Sequence, residues 1–217
     1  MMFNINKYEE IRDFLKKNAK ISEIIAISKN HPKEYVLEAI SHGVKIFGEN
    51  RVLEAKNKFM DIKNNHPGIE LHLTGPLQSN KVKMAVDIFD VFHTLDREKI
   101  AKEFSKFSDR LKNKKIFIQV NTGDEIAKSG VSISDLKEFK NYCVRDLSLN
   151  IVGLMCIPPI NDPPEVHFRL LSDLANKNNL NELSIGMSGD YKKAIDFNPS
   201  YIRLGTILFG NRDEKKN

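Results

Sequence analysis

The chain has 217 residues, with 34 Lys and Arg against 29 Asp and Glu, for a formal net charge of +5. That length supports one sizeable core and is short for two, so residues 1–217 are expected to form a single domain. The composition, 41% hydrophobic and 29% charged, contains no apolar run near the roughly 18 residues of a membrane helix. The N-terminal stretch 1–17 mixes acidic and basic residues without an apolar centre, unlike a signal peptide, so the cytoplasm is the expected location. Lysines are scattered rather than blocked or interleaved with aromatics, and no nucleic-acid or membrane partner is expected.

Residues 7–17 read as an amphipathic helix, with Tyr8, Ile11, Phe14 and Leu15 on one face. The run 24–27 is wholly apolar, as parallel strands covered on both faces are, and ends at Ser28-Lys29. Pro32 then opens a helix to residue 40, stopped by Gly43. A strand at 44–47 ends in Gly48-Glu49-Asn50, and Val52, Ala55, Phe59 and Ile62 mark the next helix. Pro67-Gly68 turns the chain into a strand at 69–73, and Gln78, Ser79 and Asn80 lead into another helix, as caps or as ligand contacts.

The same alternation continues through a strand at 91–94 and a helix capped by Asp96 that carries Ile100, Phe104, Phe107 and Leu111. Strands follow at 115–121, 149–156, 183–187 and 201–204, separated by helices opening at Ser134, Pro163-Pro164 and Asp190. Eight strands alternating with helices argue for parallel βαβ units closed into a (β/α)8 TIM barrel, smaller than the usual one of roughly 250 residues. Residues 212–217 read as a frayed tail. Cys143 and Cys156 lack metal-like spacing and are expected as free thiols; His93 and His167 read as satisfied or surface histidines, and no metal site is expected.

In such a barrel the carboxyl ends of the strands carry function. The last two ends, Gly186-Met-Ser188-Gly189-Asp190 and Gly205-Thr206, combine glycines with hydroxyls, a pattern that suits a phosphate and also occurs in plain tight turns. Closure would set strand eight beside strand one and bring Lys29 next to that cup. There a lysine is either a counter-charge or an amine that condenses with a carbonyl. The second option calls for an aldehyde that also bears a phosphate, and pyridoxal 5'-phosphate has both groups.

Seven ordered segments carry a resemblance: Ile27-Ser-Lys29, Phe47-Gly-Glu-Asn50, His72-x-x-Gly-Pro-Leu-Gln-Ser-Asn-Lys81, Gln119-Val-Asn121, Lys128-Ser-Gly130, Gly186-Met-Ser-Gly-Asp190 and Arg203-x-Gly-Thr-x-x-Phe-Gly210. Together, from about residue 22 to 212, the chain resembles the pyridoxal phosphate homeostasis protein family, whose fold is a single barrel of the alanine racemase N-terminal type. The resemblance implies that Lys29 forms a Schiff base with the cofactor. It also implies that Ser188, Gly189, Gly205 and Thr206 hold the phosphate, that Arg203 faces the pyridine nitrogen, and that Asn50 and His72 line the pocket. Leu71 stands where many members have tryptophan, and this chain has none.

An arginine at the pyridine nitrogen disfavours its protonation and weakens the ring as an electron sink. The expected role is therefore a monomeric carrier that buffers pyridoxal 5'-phosphate and delivers it to apo-enzymes, without robust catalysis. The alternatives are a pyridoxal-phosphate-dependent amino acid racemase, using Lys29 with a pocket base such as His72, and a sugar-phosphate-binding barrel in which Lys29 is only a clamp. Racemases of the related type draw a tyrosine base from a second domain, for which no room is expected after Gly210.

Overall fold

The computed structural model describes residues 2–18, 21–125 and 128–210, so the expectation for the tail 212–217 lies outside the described residues. The elements are α1 (Ile5–Lys17), β1 (Glu23–Ile27), α2 (Lys33–Ser41), β2 (Ile46–Glu49), α3 (Val52–Asn65), β3 (Glu70–Leu73), α4 (Val82–Ile88) and β4 (Val91–Leu95). They continue with α5 (Glu98–Ser105), α6 (Ser108–Leu111), β5 (Lys115–Gln119), α7 (Leu136–Asn141), β6 (Ile151–Met155), α8 (Pro164–Lys177), β7 (Glu182–Met187), α9 (Tyr191–Ala194), β8 (Tyr201–Leu204) and α10 (Thr206–Phe209). The eight strands form one closed barrel in sequence order, with every neighbouring pair parallel. Closure comes from β8 against β1, in a register that sets Arg203 opposite Ile25.

Successive strand residues face opposite sides of a sheet, so each strand feeds two layers. Ile24, Ala26, Leu71, Leu73, Phe92, Ile116, Ile118, Ile202 and Leu204 pack outward in the large cluster under the helices. Ile25, Ile27, Val91, Phe117, Met155 and Tyr201 form a second, smaller cluster within the barrel. The interior also holds polar groups: His72, His93 and Ser184 are fully buried and Arg203 is 5% exposed. A buried polar group must find partners inside, so the interior is ordered by hydrogen bonds as well as by packing.

Several local expectations are corrected. Asp96 does not cap a helix: α5 has Arg97 at its N-cap without a side-chain cap, and the Asp96 carboxylate accepts from Arg97 Nη1. The single helix read through Phe107 is two, because Phe107 lies outside α5 and stands at the N-cap of α6. β2 begins two residues later than its apolar run and extends through Glu49, because Gly48 and Glu49 pair with His72 and Leu73 of β3. β5 stops at Gln119; Val120 then bridges Val131, folding the following loop back on the strand end. Ser79–Lys81 makes a 3-10 turn before α4, and the side chain of Gln78 at its N-cap accepts no capping bond. Cys143 and Cys156 are buried free thiols, both pushed up to about 12 by burial.

Candidate functional site

A cleft of about 250 Å³ opens at the carboxyl ends of the strands. It is lined by Lys29, Asn50, Ser188, Gly189, Arg203, Gly205 and Thr206, seven of the residues singled out from sequence. His31, Thr74, Ile157, Met187, Ile27 and Gly210 complete the lining. Its volume lies at the small end for ligand sites and suits a single-ring compound.

Lys29 enters from the turn between β1 and α2. That turn is held tightly: Ser28 Oγ donates to Glu49 Oε1 at 2.7 Å, and Lys58 Nζ donates to the Ser28 carbonyl at 2.8 Å. Asn30, in the left-handed region at φ 63°, donates its N–H to Glu54 Oε1 at 2.5 Å. Asn50 leaves the end of β2, and its Oδ1 accepts from Thr74 Oγ1 at 2.9 Å, which joins the neighbouring β2 and β3 ends at the cleft.

The opposite wall is built from backbone. The turn after β7 is closed by Asp190, whose Oδ1 accepts from Met187 N and whose N–H donates to the Met187 carbonyl. Ser188 Oγ lies 3.3 Å from the Gly205 amide and 3.5 Å from the Ile207 amide, both long contacts. Donors so loosely engaged can turn to a better acceptor, and a phosphate oxygen is one. The glycines differ in kind. Gly186 has φ +89° and a Cβ there would lie 2.6 Å from the Ala194 Cβ, so chain and packing both require glycine. At Gly189 a Cβ would meet nothing within 4 Å, and at Gly205 only ordinary contacts at 3.5 Å and beyond. Nothing in the surrounding protein asks for glycine at these two positions; a group seated in the cleft would.

Arg203 forms the floor. Its Nη1 donates to the Ser184 carbonyl at 2.6 Å and to Ser184 Oγ at 2.8 Å, and its Nη2 to the Cys156 carbonyl at 2.9 Å. Burial lowers the guanidinium pKa, with Cys156 and Asp190 acting in the opposite direction. An arginine stays protonated even so, and therefore presents donors to the cleft.

His72 is not part of the lining. Its ring is fully buried in the barrel, with Nε2 at 2.6 Å from Glu70 Oε1 and Nδ1 at 2.8 Å from His93 Nε2. The hydrogen bond from His72 holds the Glu70 carboxyl below its ordinary range, while burial lowers both histidines, His93 well below 6.5. An ionised Glu70 accepts from His72 Nε2–H, so His72 Nδ1 accepts from His93 Nε2–H. That leaves His93 Nδ1 as a bare acceptor, and it has no partner. His93 is thus neither a surface histidine nor a fully satisfied one, and its ring face stacks on Phe117 at 4.7 Å. His167 is satisfied, by Thr122 Oγ1 at 3.1 Å and Asp162 Oδ2 at 3.2 Å.

Other motif segments settle away from the cleft. Gln119 Nε2 donates to the Ser129 carbonyl and Asn121 N to the Val131 carbonyl, so the Gln119-Val-Asn121 and Lys128-Ser-Gly130 segments serve one another. Gln78 and Lys81 line a separate groove with Arg51 and Arg97. Sequence reasoning missed His31, although it lies two residues past Lys29 in the same turn; its ring stacks on Tyr35 at 5.1 Å. Among the described residues, no helix is long and apolar enough to cross a membrane, and no three His, Cys, Asp or Glu gather as metal ligands.

Comparisons with known proteins bear on the family and the fold. Residues 6–213 match the family model described as alanine racemase, N-terminal domain. The pyridoxal phosphate homeostasis protein of Vibrio cholerae serotype O1 is 37% identical over 206 residues, covering 90% of this chain and 87% of its own. That of Escherichia coli K12 is 34% identical over 206 residues, covering 89% and 87%. PipY of Synechococcus elongatus, solved with PLP bound, superimposes at a TM-score of 0.83 with 31% identity, covering 95% of this chain and 99% of that one. Alanine racemase from Corynebacterium glutamicum shares the fold at a TM-score of 0.68 and 16% identity, over 95% of this chain and 62% of that one. The chain therefore belongs to the pyridoxal phosphate homeostasis protein family, within the alanine racemase N-terminal domain group.

Proposed function

We propose that this chain binds pyridoxal 5'-phosphate in the cleft, holds it reversibly through a Schiff-base linkage to Lys29, and buffers and delivers it to apo-enzymes. One observation carries the reading: a half-buried lysine shares a small cleft with a wall of loosely engaged amides, hydroxyls and glycines that the fold does not require. A phosphorylated aldehyde is the ligand that uses both. Relatives named pyridoxal phosphate homeostasis proteins, and a PipY structure with PLP bound, support the same ligand.

In this reading Ser188, Gly189, Gly205 and Thr206 hold the phosphate and Asn50 borders the ring. Arg203 donates to the pyridine nitrogen and so keeps that nitrogen unprotonated. Lys29 would supply the amine that condenses with the aldehyde carbon, with the carbonyl oxygen released as water, and hydrolysis would reverse the linkage. Tyr201, the tyrosine of the barrel interior, does not line the cleft, which suits holding rather than racemising. Purified protein loaded with the cofactor is expected to absorb in the visible, to lose that band on borohydride reduction, and to carry the reduced adduct on Lys29 by peptide mass spectrometry. An adduct on another residue overturns the assignment of Lys29. Sustained racemisation of a single amino acid enantiomer overturns the carrier reading.

A further inference from the structure

Behind Lys29 lies a buried charge cluster that the cleft itself does not use. Lys58, on α3, is 7% exposed and Glu49, on β2, is fully buried. Lys58 Nζ donates to the Ser28 carbonyl at 2.8 Å, to Glu49 Oε1 at 2.8 Å and to Glu54 Oε1 at 3.1 Å. An ammonium has three N–H donors, so all are engaged. Burying such a group is costly unless close partners offset it, and hydrophobic side chains would fill the space at no such cost. The placement of the partners therefore asks for a reason.

The reason lies in what they touch. Ser28 and Asn30 flank Lys29, and the cluster holds both. Ser28 is gripped at its carbonyl by Lys58 and at its hydroxyl by Glu49 Oε1 at 2.7 Å. Asn30 is gripped at its amide by Glu54, in a left-handed conformation at φ 63° that this hydrogen bond helps to keep. The turn that carries Lys29 is thus fastened on both sides to β2 and α3. Glu54 sits one turn before Lys58 on the same helix, so one face of α3 supplies two of the three charged groups.

We infer that Lys58, Glu54 and Glu49 are positioning residues that hold the Lys29 turn so that its amine meets an aldehyde in the cleft already aligned. This rests on the proposed attachment through Lys29, in which the Nζ–carbon bond forms as the aldehyde oxygen departs as water. None of the three side chains lines the cleft or the phosphate wall, so their effect falls on the attachment step through Lys29. Burial pushes the Glu49 carboxyl up while Lys58 draws it down, and the second oxygen of Glu49 has no partner, so removing Lys58 alone would strand a buried carboxylate.

The test compares two ligands of one shape. Pyridoxal 5'-phosphate can attach covalently, whereas pyridoxine 5'-phosphate carries an alcohol in place of the aldehyde and cannot. Three variants are loaded with each: Glu54→Met, the charge-balanced pair Glu49→Gln with Lys58→Met, and Lys29→Ala as control. For Glu54→Met, whose side chain is partly exposed and least needed for folding, and for the double variant, aldehyde attachment is expected to slow and weaken by about tenfold, the order expected of lost alignment. Pyridoxine 5'-phosphate binding should stay within about twofold, since the phosphate wall is untouched. Equal losses for both ligands would show a general structural role and overturn the inference, as would no loss for either in Glu54→Met. Should Lys29→Ala still form a borohydride-reducible adduct, the assignment of Lys29 fails instead, and the two failures are told apart.

Discussion

The cleft and the barrel interior beneath it are both polar, yet their polar groups are in opposite states. In the cleft, Ser188 Oγ reaches amides only at 3.3 and 3.5 Å, and Gly189 stands in open space. In the interior, His72 is joined to His93 at 2.8 Å and to the half-exposed Glu70 at 2.6 Å. Apart from His93 Nδ1, the interior groups satisfy one another and have little left for a ligand, whereas groups held apart by the chain have more. Polarity at the mouth is there to bind, and polarity inside is there to fold. Arg203 belongs to both, lining the cleft while donating to Ser184 and Cys156 below it.

Substitutions should therefore separate binding from stability. The largest effect falls on Lys29→Ala: covalent attachment is abolished, read as loss of the borohydride-sensitive visible band, while the melting temperature stays close to wild type. Next comes Gly189→Leu. Its side chain enters empty space, so stability is expected within about 0.5 kcal/mol of wild type. Cofactor affinity should fall by at least about tenfold, because the added carbons occupy the proposed phosphate cradle. Gly186→Ala, three residues earlier, is the inverse case: with φ +89° and a contact of 2.6 Å to Ala194 Cβ, it should cost about 1–3 kcal/mol in chemical denaturation. If Gly189→Leu destabilises as much as Gly186→Ala, the distinction between the two glycines collapses. Arg203→Met should lower both quantities, because the Ser184 and Cys156 carbonyls lose their buried donor, at about 2–5 kcal/mol.

Much of this was legible in the sequence, and the gaps have physical causes. The alternation of short apolar runs with amphipathic helices is local, so the eight strands and their closure could be read directly. The cleft residues stand at strand ends in compact glycine and hydroxyl motifs, and seven of them meet where barrel closure puts them. His72, expected at the pocket lining, lies in the barrel interior, because β3 is covered on both faces and no polar alternation marks how deep along Leu71, His72 and Leu73 the cleft reaches. Lys58 was invisible for a related reason. Glu54 and Lys58 at a spacing of four read as an ordinary solvent-exposed helix pair, and only the approach of α3 to the β1 end turns them inward. Asp96 misled because a cap needs the following amides within reach, whereas here Arg97 draws the carboxylate aside.

The smallest predicted effect tests the interior by itself. His93 is buried, neutral, and depressed well below 6.5 by burial first and then by His72, Arg203 and Lys115. His72 is lowered by burial too, although Glu70 opposes it. In the unfolded chain both would take up protons as the pH falls through about 6.5, while the folded protein refuses them until lower pH. Unfolding then binds protons, so stability is full above pH 6.5 and declines below it until the folded groups titrate. The slope can reach about 1.4 kcal/mol per pH unit for each proton taken up. His93→Phe keeps the stack on Phe117 and removes one of these protons, so urea midpoints measured between about pH 7 and 5 should decline less steeply than wild type. Pyridoxal 5'-phosphate affinity at neutral pH should not move, since His93 is absent from the cleft lining. A variant that keeps the wild-type slope but loses affinity would reverse the division of labour between mouth and interior, and would make the histidine pair part of the binding site after all.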